Sequence, residues 1–196
     1  MTLLKQKKSN SQIISRQSEG FTLWLTGLPC AGKTTIALEL LRRLAKRGIP
    51  VEGLDGDVIR KNLSRDLGFS KQERLANIER VGYVASLLTR HGVVTVVSLV
   101  SPYRSMRDKA REIIGRFVEI YVSCPLDVCE ARDVKGMYKL ARQGTLHSFT
   151  GVSDPYEKPL KPEITVHTDK HSPQESVQSI LKWLEKKAYI QAKGLI

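Results

Sequence analysis

The chain has 196 residues, 41% of them hydrophobic and 27% charged, as expected for one globular domain with a sizeable core. It contains no apolar run long enough to span a membrane and no apolar N-terminal segment typical of a signal peptide, so we expect a cytoplasmic protein without a membrane partner. The net charge of +12 suits either a nucleic-acid-binding protein or an enzyme with anionic substrates. Since zinc-finger spacing and an aromatic–basic RNA signature are missing from the sequence, we favour small anionic substrates and expect no nucleic-acid partner.

Composition divides the chain into three parts. Residues 1–19 are polar and rich in Lys, Ser and Gln, which predicts a flexible N-terminal arm. Residues 20–190 carry the periodic apolar patterns of a single domain, without internal repeats. Residues 191–196 remain as a C-terminal tail.

The strongest motif lies between the first predicted strand, at residues 21–26, and a helix predicted over residues 33–47. Residues 27–34 fit the phosphate-binding loop (P-loop, or Walker A) pattern G-x-x-x-x-G-K-[ST], and the flanking strand and helix are the context that this motif requires. The residues expected to bind a nucleoside triphosphate are Gly27, Leu28, Pro29, Cys30, Ala31, Gly32, Lys33, Thr34 and Thr35.

The chemistry of the P-loop follows from its residue types. Gly27 and Gly32 let successive backbone N–H groups turn toward phosphate oxygens, and the start of the helix adds a partial positive charge. We expect Lys33 to contact the β- and γ-phosphates as a catalytic cation, and the Thr34 hydroxyl to bind Mg²⁺. The motif does not identify the group that receives the phosphoryl group.

A second strand, predicted over residues 51–54, leads into two carboxylates, Asp55 and Asp57. Ligands of parallel sheets bind beyond the carboxyl ends of the strands, so these side chains are candidates to hold Mg²⁺ or to accept a hydroxyl proton. We favour a functional Asp57, as a Mg²⁺ ligand or as the proton acceptor, and leave the choice between a functional and a solvated Asp55 open. Arg60 is expected near the same edge of the sheet.

The helix predicted over residues 71–90 starts with a capping box of Ser70 and Glu73. Arg74 and Asn77 fall inside its apolar stripe at the N-terminal end. A polar pair on an inward face needs partners, which a bound anion or nearby backbone carbonyls could supply. We favour the anion.

A third, central strand is predicted over residues 93–99 and ends in Val100, Ser101 and Pro102. Ser101 could be a nucleophile, a hydroxyl that positions substrate, or an ordinary residue before a turn. Because no base partner is evident, positioning is favoured over covalent catalysis. Arg104, Arg107 and Arg111 on the following helix predict a basic patch that partly faces solvent.

Further elements complete the prediction. A fourth strand is expected at residues 117–122, a helix at 125–132, a fifth strand at 163–166 and a last helix from Pro173. Between the helix and the fifth strand, residues 133–162 form a polar stretch with several Gly and Pro residues, which predicts a lid segment over the triphosphate. The predicted fold is a three-layer α/β P-loop kinase with a parallel five-stranded sheet.

Several short motifs together resemble one family, the adenylylsulfate (APS) kinases, over residues 20–190. They are the sequences LDGD with Arg60, DLGFS, Arg74 with Asn77-Ile78, SPYR, RDVKG, and FTGV followed by PYE. The resemblance implies phosphorylation of the 3′-hydroxyl of adenosine 5′-phosphosulfate (APS) by ATP and Mg²⁺ in sulfate assimilation, giving PAPS and ADP. It further implies a homodimer.

The resemblance also implies roles for individual residues. Phe69 and Phe149 would hold the adenine of APS between them, Arg132 would contact ATP, and Ser101 matches a position assigned as a phosphoenzyme intermediate. The positions implied to bind APS are Asp57, Arg60, Phe69, Arg74, Asn77, Val100, Ser101, Lys135, Ser148 and Phe149. Val58 and the Pro29-Cys30 pair depart from the family pattern.

Two other functions are weighed against this one. A P-loop kinase for another hydroxyl acceptor, such as a nucleoside or a sugar, would share the same loop. A basic nucleic-acid-binding ATPase would account for the positive charge. The inward Arg74 and Asn77, together with the two aromatic residues, favour an anionic, planar acceptor.

Overall fold

The structure is a computed structural model that describes residues 20–192. The predicted N-terminal arm, residues 1–19, lies outside the described residues, and so do residues 193–196 of the predicted tail. No helix in the described part of the chain is long and apolar enough to cross a membrane.

A parallel five-stranded sheet forms the centre of the fold, as predicted. Its strand order is β2-β3-β1-β4-β5, so β1, which leads into the P-loop, lies in the middle. The strands are β1 (Thr22–Thr26), β2 (Val51–Asp55), β3 (Val94–Ser98), β4 (Phe117–Ser123) and β5 (Ile164–His167).

Helices cover both faces of the sheet and complete three layers. Leu23 and Leu25 of β1 point into one buried cluster, and Trp24 points into the other. This alternation follows from the two-residue period of a strand. The helices are α1 (Lys33–Ala45), α2 (Gly56–Asn62), α3 (Lys71–Arg90), α4 (Arg104–Ile114), α5 (Leu126–Ala131), α6 (Met137–Arg142) and α7 (Pro173–Lys186).

The two clusters take their helical residues from different elements. Ile36 and Leu40 of α1 join Val177 and Ile180 of α7 in the first cluster. On the opposite face, α3 and α4 supply the second cluster. The parallel sheet is therefore buried on both sides, which explains its apolar strands.

Helix starts predicted from capping residues agree with the structure. The helix predicted over 71–90 is confirmed, and the capping box of Ser70 and Glu73 is present at its start. Ser172 and Glu175 form a second capping box before α7, with Pro173 in the first turn. These ends are encoded locally because their hydrogen bonds join residues three positions apart.

One prediction about α4 was wrong for its central arginine. Arg107 was expected in a partly solvent-facing basic patch, but its side chain is only 2% exposed and pairs with Glu119 of β4 at 2.7 Å. Arg111 is part of a half-buried pair with Glu163. The sequence pattern places these arginines on neighbouring faces of a helix. It does not show that the carboxylates of Glu119 and Glu163 pack against those faces.

The lid segment, residues 133–162, contains more regular structure than the sequence pattern predicts. It includes helix α6 and an isolated parallel bridge between Thr150 and Asp154. Tyr138 of α6 is buried and contacts Phe149 edge to face, with ring centroids 4.9 Å apart. These side chains belong to the first cluster, so the segment is packed onto the main core.

Replacing Ser172 by Ala should lower the free energy of unfolding by about 1 kcal/mol, because the Ser172 hydroxyl accepts a hydrogen bond from the Glu175 backbone N–H. Urea denaturation monitored by circular dichroism would measure the change. Ser179→Ala is the matched control: its hydroxyl donates to the Ser176 carbonyl within the helix, so alanine should be neutral or slightly stabilising. Equal losses in both variants would contradict the capping role.

Candidate active site

A cavity of about 730 Å³ opens where the carboxyl ends of the strands meet. The P-loop follows β1, Asp55 ends β2, Ser101 follows β3, and Thr168 follows β5. Arg132 reaches the same cavity from the end of α5. Residues far apart in the sequence therefore share one opening because all five strands run in the same direction.

Side chains hold the P-loop through its backbone carbonyls. The Lys33 ammonium donates to the carbonyls of Gly27 at 3.0 Å and Leu28 at 2.7 Å. The Tyr138 hydroxyl donates to Pro29 O at 3.1 Å. Because the carbonyls are occupied by the protein, and the first amides of α1 have no partners within the helix, N–H groups remain for a phosphate.

Gly27 is required by close packing at the start of the loop. A Cβ atom at this position would lie 2.4 Å from the carbonyl oxygen of Val122 in β4. The backbone of the loop can therefore leave the sheet at this point only without a side chain.

Burial changes the ionisation of Lys33. The side chain is enclosed at the base of the loop, and desolvation lowers its pKa to about 8 despite nearby carboxylates such as Asp55 and Asp57. At pH 7 the group is still mostly protonated, but no carboxylate among residues 20–192 contacts it to neutralise its charge. A bound triphosphate would supply that anion.

Thr168 connects the P-loop to Arg132. Its hydroxyl donates to Ala31 O at 2.8 Å, and Arg132 donates to the Thr168 carbonyl at 2.7 Å. These contacts place a guanidinium beside the P-loop. We call the part of the cavity lined by the P-loop, Arg132 and Thr168 its nucleotide end.

At the end of β2, the two carboxylates have different partners. Asp55 accepts a hydrogen bond from the Thr34 hydroxyl at 3.0 Å, and its other oxygen caps α2 by accepting from the Asp57 backbone N–H. The Asp57 carboxylate is exposed and pairs with Lys135 of the lid segment. This hydrogen bond raises the pKa of Lys135. Asp55 thus lines the cavity and has partners within the protein, and its role in function stays a prediction.

We call the part of the cavity lined by Arg60, Phe69, Arg74, Asn77 and Phe149 its acceptor end, and it is basic and aromatic. The Phe69 ring is 53% exposed, and the guanidinium carbons of Arg60 and Arg74 lie 4.7 Å and 5.5 Å from its centroid. Phe149 of the lid segment lines the same cavity but is buried. Burial lowers the pKa of both arginines.

The polar pair on α3 is only partly satisfied by the protein. Arg74 donates to the carbonyls of Phe69 and Ser148 and pairs with Asp154 at 3.3 Å, so backbone carbonyls supply the partners for which we had favoured an anion. The Asn77 side chain is 4% exposed and lines the cavity, and its Oδ1 has no hydrogen-bond partner among the described residues. Asn77 therefore has a buried, unpaired amide oxygen at the wall of the cavity.

Ser101 is buried and has a strained backbone, with φ of +40°. Its hydroxyl accepts a hydrogen bond from the Trp24 indole at 3.1 Å. No imidazole or carboxylate contacts this hydroxyl within the described residues. The surroundings of Ser101 contain a donor but no base that would activate it as a nucleophile.

The structure brings most of the sequence-predicted site residues together. Those that line the cavity are Pro29, Cys30, Gly32, Lys33, Thr34, Thr35, Asp57, Arg60, Phe69, Arg74, Asn77, Val100, Ser101, Arg132, Lys135, Ser148 and Phe149. Gly27, Leu28 and Ala31 do not line it. Instead, they shape the P-loop through their carbonyls, which accept from Lys33 and Thr168.

Sequence analysis missed Thr168 and His171, which also line the cavity. Thr168 directly follows β5, so the rule that ligands bind beyond the carboxyl ends of strands could have found it. His171 lies in the turn before α7, and no pattern in the sequence distinguishes it from a surface histidine.

Comparisons with known proteins agree with this geometry. Residues 19–167 match the sequence model of the family described as adenylylsulphate kinase. Adenylyl-sulfate kinases of Rippkaea orientalis and Halothermothrix orenii are 54% and 51% identical over 89% of this chain, covering 96% and 95% of those proteins. The structure of the Mycobacterium tuberculosis APS kinase with AMPPNP and APS has a TM-score of 0.83 and 37% identity, over 85% of this chain and 98% of that one.

Replacing Lys33 by Met should separate stability from nucleotide binding. The variant keeps the length of the side chain but removes a buried charge whose lowered pKa shows that its protonated form is disfavoured in the fold. At pH 7 the free variant should melt at the same temperature as the wild type or higher. It should lose the rise in melting temperature that MgATP produces in the wild type.

Differential scanning fluorimetry with and without MgATP would make this comparison. Lys46→Met, in the exposed turn that follows α1, is the control and should keep the full shift. A normal MgATP shift in Lys33→Met would contradict the assignment of Lys33 to the triphosphate.

Proposed function

The chain belongs to the adenylylsulfate kinase family, and on that premise we propose that it transfers the γ-phosphoryl group of ATP to the 3′-hydroxyl of APS, giving PAPS and ADP in sulfate assimilation. The observation that carries this proposal is the identity of about half of the residues to adenylyl-sulfate kinases over 89% of the chain. The cavity supports it independently, because a P-loop and a basic, aromatic end share one opening.

ATP binds at the nucleotide end. The amides at the start of α1 and the Lys33 ammonium hold its phosphates. Arg132, fixed by Thr168, lies beside the base. Support comes from the AMPPNP named with the M. tuberculosis enzyme and from the occupied carbonyls of the loop, which keep its N–H groups available.

APS binds at the acceptor end. Phe69 and Phe149 hold its adenine between them, and the free Oδ1 of Asn77 accepts a hydrogen bond from the ligand. Arg60 and Arg74 supply positive potential near the phosphosulfate group. Val100, Ser101, Lys135 and Ser148 complete the wall.

Transfer is direct in this proposal. The 3′-hydroxyl oxygen attacks the γ-phosphorus, the bond from the γ-phosphorus to the β–γ bridging oxygen breaks, and ADP leaves with that oxygen. Asp57 accepts the hydroxyl proton, while Lys33 stabilises the charge on the transferring group. Asp57 must first give up its ion pair with Lys135, at the same opening, in order to contact the hydroxyl of the acceptor.

Mg²⁺ suits the oxygen donors at the end of β2. Hydroxyl and carboxylate oxygens are the ligands it prefers, and the Thr34 hydroxyl is already within 3.0 Å of an Asp55 oxygen. Thr34 and Asp55 would hold the ion, whereas Asp57, the carboxylate ligand that the sequence suggested, is assigned to the proton in this proposal. When bound, the ion neutralises charge on the β- and γ-phosphates.

The proposal also covers the location, assembly and partners of the protein. The enzyme works in the cytoplasm as a homodimer and has no nucleic-acid partner. Residues 20–190 form its catalytic domain. The lid segment closes over both substrates and excludes water, which is supported by the lining residues that it contributes, Lys135, Ser148 and Phe149. Size-exclusion chromatography with light scattering would test the dimer.

The activity is tested by incubating the protein with MgATP and either APS or a panel of nucleosides and sugars, and identifying products by mass spectrometry. PAPS and ADP in equal amounts are expected. Phosphorylation of a nucleoside or sugar in place of APS would refute the assignment.

Ser101→Ala and Asp57→Asn separate direct transfer from a phosphoenzyme. Ser101→Ala should keep measurable activity, since it loses a positioning hydrogen bond worth about 0.5–1.5 kcal/mol. Asp57→Asn should lower kcat by about 10²–10⁴, because the proton acceptor is gone. A coupled ADP assay measures both.

Asp108→Asn, an exposed carboxylate on α4, serves as the control and should turn over normally. Rapid quench with labelled ATP extends the test to the intermediate. A kinetically competent phosphoserine at Ser101, or an inactive Ser101→Ala protein that is folded, would overturn direct transfer.

A further inference from the structure

Arg107 is a buried cation that lines no part of the active-site cavity, yet each of its three guanidinium nitrogens holds a different segment. Nε donates to the Glu119 carboxylate of β4 at 2.7 Å. Nη1 donates to the Ser101 carbonyl, and Nη2 to the Glu157 carbonyl, both at 2.7 Å. One side chain therefore connects the central sheet, the loop that carries Ser101 and the end of the lid segment.

The contact with Glu157 is part of a larger attachment. We call residues 156–158 the lid root and residues 99–103 the Ser101 loop. The Glu157 backbone N–H donates to Pro102 O at 2.8 Å, and its carboxylate accepts from the Arg104 backbone N–H at 2.8 Å. Tyr156 hydrogen-bonds Thr26 at 3.0 Å. The lid root and the Ser101 loop are thus fixed to each other and should shift together.

The backbone at Ser101 needs this support. A serine with φ of +40° occupies a left-handed conformation that costs free energy for a side chain with a Cβ. It persists where surrounding contacts impose it. The Trp24 indole bonds the Ser101 hydroxyl, and the Ser101 carbonyl accepts from Arg107 at 2.7 Å and, at the longer distance of 3.5 Å, from the Thr26 hydroxyl. Replacing Arg107 removes the short hydrogen bond to the Ser101 carbonyl, so the strained backbone loses one of its supports.

We propose that Arg107 is a positioning residue for APS phosphorylation, which sets the acceptor end of the cavity by holding the Ser101 loop and the lid root in register with β4. This rests on the proposed function. Because the nucleotide end is held by other residues, chiefly Lys33 and Thr168, loss of Arg107 acts on APS and leaves ATP binding nearly unchanged. A lysine cannot replace Arg107, since a single ammonium lacks the planar fork that reaches three acceptors.

The experiment compares Arg107→Lys with Arg111→Lys as the matched control. Arg111 lies one turn further along α4 and pairs with Glu163 without contacting the Ser101 loop or the lid root. We expect Arg107→Lys to lower kcat/KM for APS at least tenfold while the KM for ATP changes less than threefold. Arg111→Lys should leave both constants within threefold of the wild type.

A spectroscopic measurement makes the test independent of activity. The chain has two tryptophans, and in a Trp183→Phe background the emission comes from Trp24, whose indole bonds the Ser101 hydroxyl. We expect Arg107→Lys to shift this emission and Arg111→Lys to leave it unchanged. If wild-type protein failed to phosphorylate APS, the proposed function would fall, while the emission would still show whether Arg107 holds Ser101.

A lysine in this buried position could prevent folding, so a second variant removes both charges. Arg107→Met with Glu119→Leu leaves no buried ion without a partner, and should fold yet keep the selective defect toward APS. Three results would overturn the proposal: wild-type APS kinetics in either folded variant, an equal loss toward APS and ATP, or failure of both variants to fold, which would make Arg107 a purely structural residue.

Discussion

The common direction of the five strands is the constraint on which this site depends. Each parallel strand delivers its carboxyl end to the same edge of the sheet. The P-loop, Asp55, Ser101 and Thr168 therefore arrive together, although 141 positions separate Gly27 from Thr168 in the sequence. The central place of β1 then puts the P-loop between the segments that follow β3 and β4. A single reversed strand would remove one wall of the cavity.

At this edge of the sheet, side chains of the protein donate hydrogen bonds to backbone carbonyls, so backbone N–H groups remain as donors for the ligands. Carbonyls of the P-loop are bound by Lys33, Tyr138 and Thr168, and carbonyls near the acceptor end by Arg60 and Arg74. The amides of the P-loop and the positive potential of the arginines remain directed at the cavity. Since both substrates are polyanions, the net charge of +12 is consistent with electrostatic capture.

The lid segment joins the two ends of the site. Its first half packs by Tyr138 against the P-loop, and its last residues attach to the loop that carries Ser101. Between these attachments it supplies Lys135 and Phe149 to the cavity. Closure of the whole segment would therefore involve the nucleotide and the acceptor together, whereas a change confined to the lid root acts at the acceptor end.

The sequence by itself determined the local features. The P-loop, the capping boxes at Ser70 and Ser172, the five strands and the inward position of Asn77 follow from short-range patterns, because the interactions that encode them join neighbouring residues. Their types and approximate bounds could be predicted for that reason. The family motifs added the substrate.

Only the tertiary structure decided which side chains meet. The strand order, the hydrogen bond of Thr34 to Asp55, the carbonyl partners of Arg74 and the burial of Arg107 against Glu119 all join residues distant in the sequence. Periodicity fixes the face of a helix on which an arginine lies, but whether that face meets water or a carboxylate depends on what packs against it. The physical reason is that the partners of a buried polar group are chosen by the packing of whole elements, which no local pattern contains.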